Sequence, residues 1–306
     1  MRKAFIQTLT DMAAQDERIL LLTGDLGFMA LEPFSERFPG RFFNVGVAEQ
    51  NMVAMAGGLA EAGFIPFVYS IVTFAVLRPY EMIRNSAALQ RLPVRIVGVG
   101  GGLEYGVNGP SHHGLEDVAV LRAQPGVTIV APADTAQVAP ALRQTASLPG
   151  PVYFRLGKNE ATRVPGLGER FTLGRAETLG SGTDVLLVAL GSVTVEAAAA
   201  LDLLAAQGIG ATLLVVSSLN PSPVADVAAA LARFKLALTV EAHYLNGGLG
   251  SFVCEVAAES GAACRVVRCG IRDMPTAISG SMEYLYRANH LDRASLAETA
   301  LAELKK

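Results

Sequence analysis

The chain has 306 residues, enough for about two domains of ordinary size. Hydrophobic residues make up 51% of it and charged residues only 17%, whereas charged residues are about a quarter of most soluble proteins. The low charged fraction predicts that part of the surface is buried against a partner chain, and the net charge of −3 without any basic run argues against a nucleic-acid partner.

The sequence also argues against a membrane or secretory protein. No apolar run reaches the ~18 residues of a membrane span without a Gly, Pro or polar interruption. The N-terminal residues form a mixed-charge amphipathic pattern and lack the apolar core of a signal peptide. Cys254, Cys264 and Cys269 are spaced too irregularly for a zinc or redox motif. We therefore predict reduced core thiols in a cytoplasmic protein.

Apolar runs alternate with helical patterns along the chain. The first half contains predicted strands at 19–23, 42–47, 65–69, 94–99, 127–130 and 152–156, with helices that include 74–90 and 135–146. The turn-rich segment 161–182 predicts a linker with one hairpin. Further strands are predicted at 184–190, 211–216, 236–241 and 264–268. This alternation predicts an α/β protein with two open, mostly parallel sheets, in domains of residues 1–160 and 183–306.

Ligands of such sheets bind beyond the carboxyl ends of the strands, and Glu49 lies at such an end. It follows the predicted strand 42–47 and opens a helix rich in small residues. The helix dipole favours a charged carboxylate there, whereas apolar neighbours disfavour it, so this side chain is suited to hold or share a proton. The simpler interpretation is an ordinary acidic residue in a first helical turn. The small residues of 52–62 predict close packing against another subunit.

A glycine-rich loop over residues 98–114 is the second candidate site feature. Glycine allows the backbone to approach a ligand closely, and the loop carries the adjacent His112 and His113 to the expected ligand edge, before a helix that begins near Leu115. Histidine exchanges protons at physiological pH. The alternative is a turn in which one imidazole caps that helix. A metal site is not predicted, because no cysteine or carboxylate pattern completes one.

Several motifs in order resemble the transketolase family. They are GDL at 24–26, GVAEQNMVAMAGGLA at 46–60, the region of Phe74, NGPSHHGLED at 108–117, PADT at 132–135 and VEAHYLNGGLGS at 240–251. The resemblance covers nearly the whole chain but only the C-terminal half of a full transketolase, the pyrimidine-binding and C-terminal domains. The motif that binds magnesium and diphosphate is missing. The chain, which begins at Met1 in the family's first helix, is therefore similar to the smaller subunit of a split, two-gene transketolase.

This resemblance implies thiamine diphosphate and Mg²⁺ as cofactors, both held mainly by an N-terminal diphosphate-binding subunit in an α2β2 assembly. Glu49 corresponds to the glutamate that bonds the pyrimidine ring nitrogen and so activates the thiazolium carbon. Phe74 corresponds to the aromatic residue that stacks on the pyrimidine, and Ile71 replaces a second phenylalanine. Asp25 corresponds to a residue near the cofactor. Its alternative role is that of a turn-forming aspartate bonded to its own backbone.

The resemblance also assigns the substrate end of the site. His112 corresponds to the catalytic histidine that faces a substrate oxygen, and His113 stands where glutamine is usual. Asn108 replaces an aspartate that reads a sugar hydroxyl, and Gly100 replaces a phosphate-binding histidine. Lys158 falls near the usual phosphate-binding arginine and would hold an anion as a point charge, or else be an exposed residue at the end of the domain. These departures predict the transfer of a two-carbon ketol unit from a ketose to an aldose with a non-standard sugar.

Two other functions remain open from the sequence. The β subunit of a thiamine-dependent 2-oxo acid dehydrogenase shares the architecture, although its members usually lack a GPSHHG-type loop. A non-catalytic assembly subunit with the same fold is the second alternative. The joint presence of Glu49, Phe74 and His112 argues against it.

Overall fold

A computed structural model describes residues 1–274 and 279–306 of the chain. Twelve strands are assigned in these residues: β1 Ile19–Thr23, β2 Phe42–Asn44, β3 Ile65–Ile71, β4 Arg95–Val99, β5 Thr128–Val130, β6 Val152–Leu156, β7 Ala176–Gly180, β8 Val185–Leu190, β9 Ala211–Val216, β10 Ser218–Asn220, β11 Leu236–Tyr244 and β12 Arg265–Ile271. Every residue is buried in the four strands β1, β4, β6 and β8, as expected for strands covered on both faces of a sheet.

Helices cover the two sheets. They are α1 Arg2–Ala13, α2 Glu32–Arg37, α3 Glu49–Glu61, α4 Val72–Val76, α5 Tyr80–Met82, α6 Asp117–Arg122, α7 Val138–Thr145, α8 Thr194–Ala205, α9 Val224–Leu231, α10 Leu249–Ser260, α11 Met282–Ala288 and α12 Arg293–Leu304. Within the described part of the chain, no helix is both long and apolar enough to span a lipid bilayer.

The strands form two separate sheets, as the sequence predicts. The first has the order β10-β5-β6-β4-β3-β1-β2 and the second has the order β12-β11-β8-β9-β7. All neighbours are parallel except β10 with β5 and β7 with β9. The predicted α/β class with two open, mostly parallel sheets is therefore confirmed.

Two strands have pairing partners that the sequence analysis did not predict. The second half of the predicted linker 161–182 forms strand β7, which pairs with β9 of the second sheet and not within a local hairpin. Strand β10 follows β9 but crosses to the first sheet, where Ser218 pairs with Val130. Strand β10, which follows a strand of the second sheet and pairs in the first, therefore connects the two sheets.

The predicted helix 74–90 is interrupted. Helix α4 ends at Val76, α5 is a single turn, and residues Ile83–Ala88 form a π-helical segment. Pro79 lacks an amide donor and disfavours helical geometry in the residue before it, which explains the break. Strand β2 is also shorter than predicted and is not buried, because it lies at the edge of its sheet and Gly46 follows with a left-handed φ of 74°.

Three small residues of α3, Ala56, Gly57 and Ala60, are buried within the chain. A Cβ added at Gly57 would lie 2.8 Å from the Cβ of Ser86, which belongs to the π-helical segment. This close approach is intramolecular, and the predicted contact of residues 52–62 with another subunit stays a prediction. Met55 remains exposed on the opposite face.

The three cysteines are free, but only Cys264 is buried, whereas Cys254 and Cys269 are half-buried. The prediction of core thiols is thus right for one of them.

Candidate active site

The candidate site lies at the carboxyl edge of the first sheet. Four parallel strands lie side by side there, in the order β1, β3, β4 and β6. Their ends deliver, in turn, Asp25, Phe74, the loop to His112, and Lys158. Glu49 reaches the same edge from the turn after β2. Residues far apart in sequence meet because parallel strands place their carboxyl ends together.

Glu49 is the first residue of α3, and its side chain is 1% exposed. One carboxylate oxygen, Oε1, accepts a hydrogen bond of 3.2 Å from the Ser70 hydroxyl. The other, Oε2, accepts one of 2.6 Å from the guanidinium of Arg78. Gly24 adjoins the carboxylate, since a Cβ added there would lie 3.5 Å from Oε1. Glu49 is thus a buried carboxylate with two identified donors.

Phe74 is half-buried and forms the centre of an aromatic group. The Arg78 guanidinium carbon lies 4.0 Å from the centroid of its ring. The imidazole of His112 meets the same ring edge-on, with 5.2 Å between centroids. Ile71, the last residue of β3, is buried and pairs with Val99 of β4. The predicted cofactor residues Glu49 and Phe74 are therefore connected to His112 through direct contacts.

Arg78 is one of two site residues that the sequence analysis missed. It is exposed at its outer end, and its guanidinium touches both Glu49 and Phe74. The signal was present in the sequence, since a cation four residues after an aromatic residue lies on the same face of a helical turn.

The substrate end of the site is built around Tyr105. Its ring lies 6.3 Å from the His112 ring, and the ammonium of Lys158 lies 4.4 Å from the tyrosine centroid. Gly100 has a φ of +77°, and a Cβ added there would lie 2.1 Å from Cε2 of Tyr105. A histidine at position 100 would therefore collide with Tyr105. This ring occupies the space beside Gly100, and the sequence analysis did not single it out.

The remaining predicted substrate residues differ in accessibility. Asn108 is exposed at the end of a 3-10 turn, next to the exposed Val107. His113 is buried, neither of its ring nitrogens has a hydrogen-bond partner among the described residues, and burial lowers its pKa. The backbone carbonyl of His113 accepts a hydrogen bond from Thr73. This bond ties the histidine loop to α4.

Asp25 has a left-handed φ of 58° and is exposed. It exchanges two hydrogen bonds with Asn44: its amide donates to Oδ1 at 3.0 Å, and its carboxylate accepts from Nδ2 at 2.9 Å. This pair joins the ends of β1 and β2. The described contacts thus include a structural role for Asp25, while its proximity to a cofactor stays a prediction.

A buried ion pair between Arg155 and Asp117 holds the end of the glycine-rich loop. Arg155 donates to the Asp117 carboxylate at 2.8 Å, and Tyr153 donates to the same group at 2.7 Å. The guanidinium also donates to the carbonyls of Gly114 in the first domain and Ala242 in the second. It therefore fixes the loop against both sheets.

Glu104 connects the loop to the second domain. Its carboxylate accepts hydrogen bonds from the Lys158 amide and the Ser192 hydroxyl, and burial raises the pKa of this carboxyl.

Among the described residues, no group of three or more His, Cys, Asp or Glu side chains is arranged to hold a metal ion.

Comparison with known proteins decides the family. The model of the transketolase pyrimidine-binding domain matches residues 1–163, and the model of the transketolase C-terminal domain matches residues 174–293. The chain belongs to the transketolase family. As a transketolase subunit, it serves an enzyme family that depends on thiamine diphosphate.

Its relatives include subunits of split transketolases. An apulose-4-phosphate transketolase subunit of Phocaeicola vulgatus is 36% identical over all of this chain and 97% of its own length. The 6-deoxy-6-sulfo-D-fructose transketolase subunit of a Clostridium species is 38% identical over 89% of this chain and 85% of its own. A solved structure described as a split gene transketolase, inactive beta4 tetramer, matches with a TM-score of 0.88 and 34% identity, covering 99% of this chain and 97% of that chain.

These matches confirm that the chain corresponds to the C-terminal subunit of split transketolases. They favour transketolase chemistry over that of a 2-oxo acid dehydrogenase. The roles of the individual site residues stay predictions.

Proposed function

We propose that this transketolase subunit supplies the pyrimidine half of a thiamine diphosphate site. In this proposal an N-terminal subunit holds the diphosphate and Mg²⁺, and the two assemble as α2β2. The assembled enzyme transfers a two-carbon ketol unit from a modified ketose to an aldose. The observation that carries the proposal is the contact network that joins Glu49, Phe74 and His112 at one sheet edge.

The residues present fit an aminopyrimidine ring. Such a ring is flat, with polar nitrogens on its edge and an apolar face. Glu49 offers a buried carboxylate for the edge, and Phe74 and Ile71 offer apolar surface for the face. When bound, thiamine diphosphate supplies a carbon nucleophile and an electron sink.

Each site residue then has a specific task. Glu49 holds or moves a proton at the ring nitrogen, because a carboxylate within hydrogen-bond reach of a nitrogen can act as a general acid or base. Phe74 and Ile71 fix the plane of the ring. His112, which touches Phe74, faces the reacting oxygen of the sugar and holds or moves its proton. The loop that Arg155 fixes through the Gly114 carbonyl positions His112.

We propose that the sugar carries an anionic group at the end remote from its carbonyl. Lys158 lies over Tyr105 and provides a positive charge near that end. Tyr105 takes the space that a phosphate-binding histidine at position 100 would need. The two relatives are named for a phosphorylated and a sulfonated sugar, and both groups are oxyanions that a lysine can hold as a point charge.

Exposed apolar side chains near the site support a partner subunit at this edge. Phe28 is 72% exposed and Met29 94%, shortly after Asp25. Val47 is 71% exposed, two residues before Glu49, and Val107 is 70% exposed, beside Asn108. Apolar groups clustered beside a polar site are typical of a surface that is covered in the assembly.

The test compares the purified chain with its mixture with the diphosphate-binding subunit. We expect the chain alone neither to bind thiamine diphosphate tightly nor to transfer ketol units, and the mixture to do both. A mixture that contains the Glu49→Gln chain serves as the control for assembly without activation. Full ketol transfer by the single chain would overturn the proposed division of the site. Oxidative decarboxylation of 2-oxo acids by the mixture, without ketol transfer, would favour the dehydrogenase alternative.

A further inference from the structure

The guanidinium of Arg78 contacts both the carboxylate of Glu49 and the ring of Phe74. Its guanidinium donates to the buried Oε2 of Glu49 at 2.6 Å, and its carbon Cζ lies 4.0 Å from the centroid of the Phe74 ring. The guanidinium thus bonds to the carboxylate through an N–H group and lies over the phenyl ring. Arginine is suited to this arrangement because its guanidinium is planar, carries several donors and stacks on aromatic faces.

The proposed function, on which this inference rests, assigns the same two contacts to the aminopyrimidine of the cofactor. That ring would also donate to Glu49 from its edge and stack with a face on Phe74. We propose that Arg78 occupies the place of the pyrimidine on Glu49 and Phe74 and gives up this place when the pyrimidine binds.

The surroundings of Arg78 allow such an exchange. Its side chain is 45% exposed, whereas that of Glu49 is 1% exposed. Solvent therefore reaches the pair from the Arg78 side only. The guanidinium can therefore swing outward, with Pro79 fixing the backbone immediately after it.

The buried carboxylate of Glu49 needs a hydrogen-bond donor whether or not the cofactor is bound. A buried carboxylate without a charged or hydrogen-bonding partner is strongly unfavourable. Ser70 provides one hydrogen bond to Oε1, and Arg78 provides the only charge that pairs with this carboxylate among the described residues. Arg78 and the pyrimidine would then be alternative partners of the same oxygen.

The experiment measures the Kd of thiamine diphosphate with Mg²⁺ by calorimetry on the assembled two-subunit enzyme. Arg78→Met keeps the length of the side chain but removes the donors and the charge. We expect it to bind thiamine diphosphate about three- to tenfold more tightly than wild type, because it does not compete for Glu49 and Phe74. Arg78→Lys keeps the charge without the planar face, and its Kd should fall between the two.

A matched control and a salt series separate competition from a structural effect. Arg84→Met removes an exposed arginine that bonds Asn85 on the neighbouring segment, and it should leave the Kd unchanged. The ratio of the wild-type and Arg78→Met Kd values should move only part of the way toward one as salt rises, because salt screens a pair with one buried partner incompletely.

Equal or weaker binding by Arg78→Met, with normal binding by wild type, would overturn the role of Arg78 and leave the proposed function intact. A wild-type assembly that does not bind thiamine diphosphate would overturn both.

Discussion

The imidazole of His112 lies edge-on to the phenyl ring of Phe74, with 5.2 Å between the ring centroids and 69° between the planes. The two residues follow β3 and β4, which are parallel neighbours in the first sheet. The residue assigned to the cofactor ring and the residue assigned to the sugar are thus in direct contact. In the proposed site, orientation of the cofactor and proton handling at the substrate are therefore coupled through one aromatic contact.

Replacement of Glu49 by glutamine should abolish most activity without loss of the fold. Glutamine has a similar shape and can still accept from Ser70 or Arg78, but it cannot hold or move a proton. We expect the turnover of the assembled enzyme to fall roughly a hundredfold or more, as for the loss of a positioned acid–base group. Exchange of the thiazolium proton for deuterium isolates the step. Wild-type exchange rates in Glu49→Gln would show that another group activates the cofactor.

Asn108→Asp should change substrate preference more than overall turnover. An amide both donates and accepts hydrogen bonds, whereas a carboxylate only accepts and repels anionic oxygens. We expect the ratio of kcat/KM values to shift at least about tenfold toward ordinary hydroxylated sugar phosphates. Competition assays with phosphorylated, sulfonated and neutral ketoses measure this ratio. His112→Ala is the comparison variant and should lower turnover with every donor. Unchanged ratios in Asn108→Asp would make Asn108 a loop residue without a role in specificity.

Gly100→Ala should be destabilising because of Tyr105. The left-handed φ of +77° costs an alanine about 1–2 kcal/mol, and its Cβ would also collide with the tyrosine ring. In a Tyr105→Ala background only the backbone strain remains, so the same substitution should cost less. Urea unfolding of the four proteins gives the coupling energy of this pair. Additive effects would mean that the Tyr105 ring moves away freely.

Glu241 should make stability depend on pH. Its carboxylate is buried and accepts hydrogen bonds from the amides of Leu249 and Gly250 at the start of α10. Burial raises its pKa to about 7, well above the value near 4.3 of an unfolded chain. Between these values the folded state binds more protons than the unfolded state, so this group's contribution to stability falls as the pH rises from about 4 to 7.

The measurement is urea unfolding of wild type and Glu241→Gln between pH 5 and pH 8. The glutamine variant lacks the titrating group but keeps an acceptor for one of the two amides. Over this range wild type should lose stability relative to the variant, by on the order of 2–3 kcal/mol. Parallel pH profiles would show that Glu241 has the same pKa in the folded and unfolded states.

The sequence by itself determined the positions of most strands and the residues at their ends. Ile19–Thr23 and Val152–Leu156 were predicted with the observed bounds, because each is a short apolar run bounded by turn formers or polar residues, and this pattern is local. The ordered motifs around Glu49 and His112 also sufficed to identify the family, since they depend on residue type and spacing alone.

Only the tertiary structure decided what fills the space between these motifs. Strand β10 leaves its own domain for the first sheet, Arg78 pairs with Glu49 across 29 positions, and Tyr105 packs over Gly100. Local periodicity carries no information about such partners, because a hydrogen bond or ring contact depends on where two separate loops meet. The carboxyl edge of the parallel sheet brings those loops together. The hydrogen bonds and ring contacts of the proposed site therefore form at this edge.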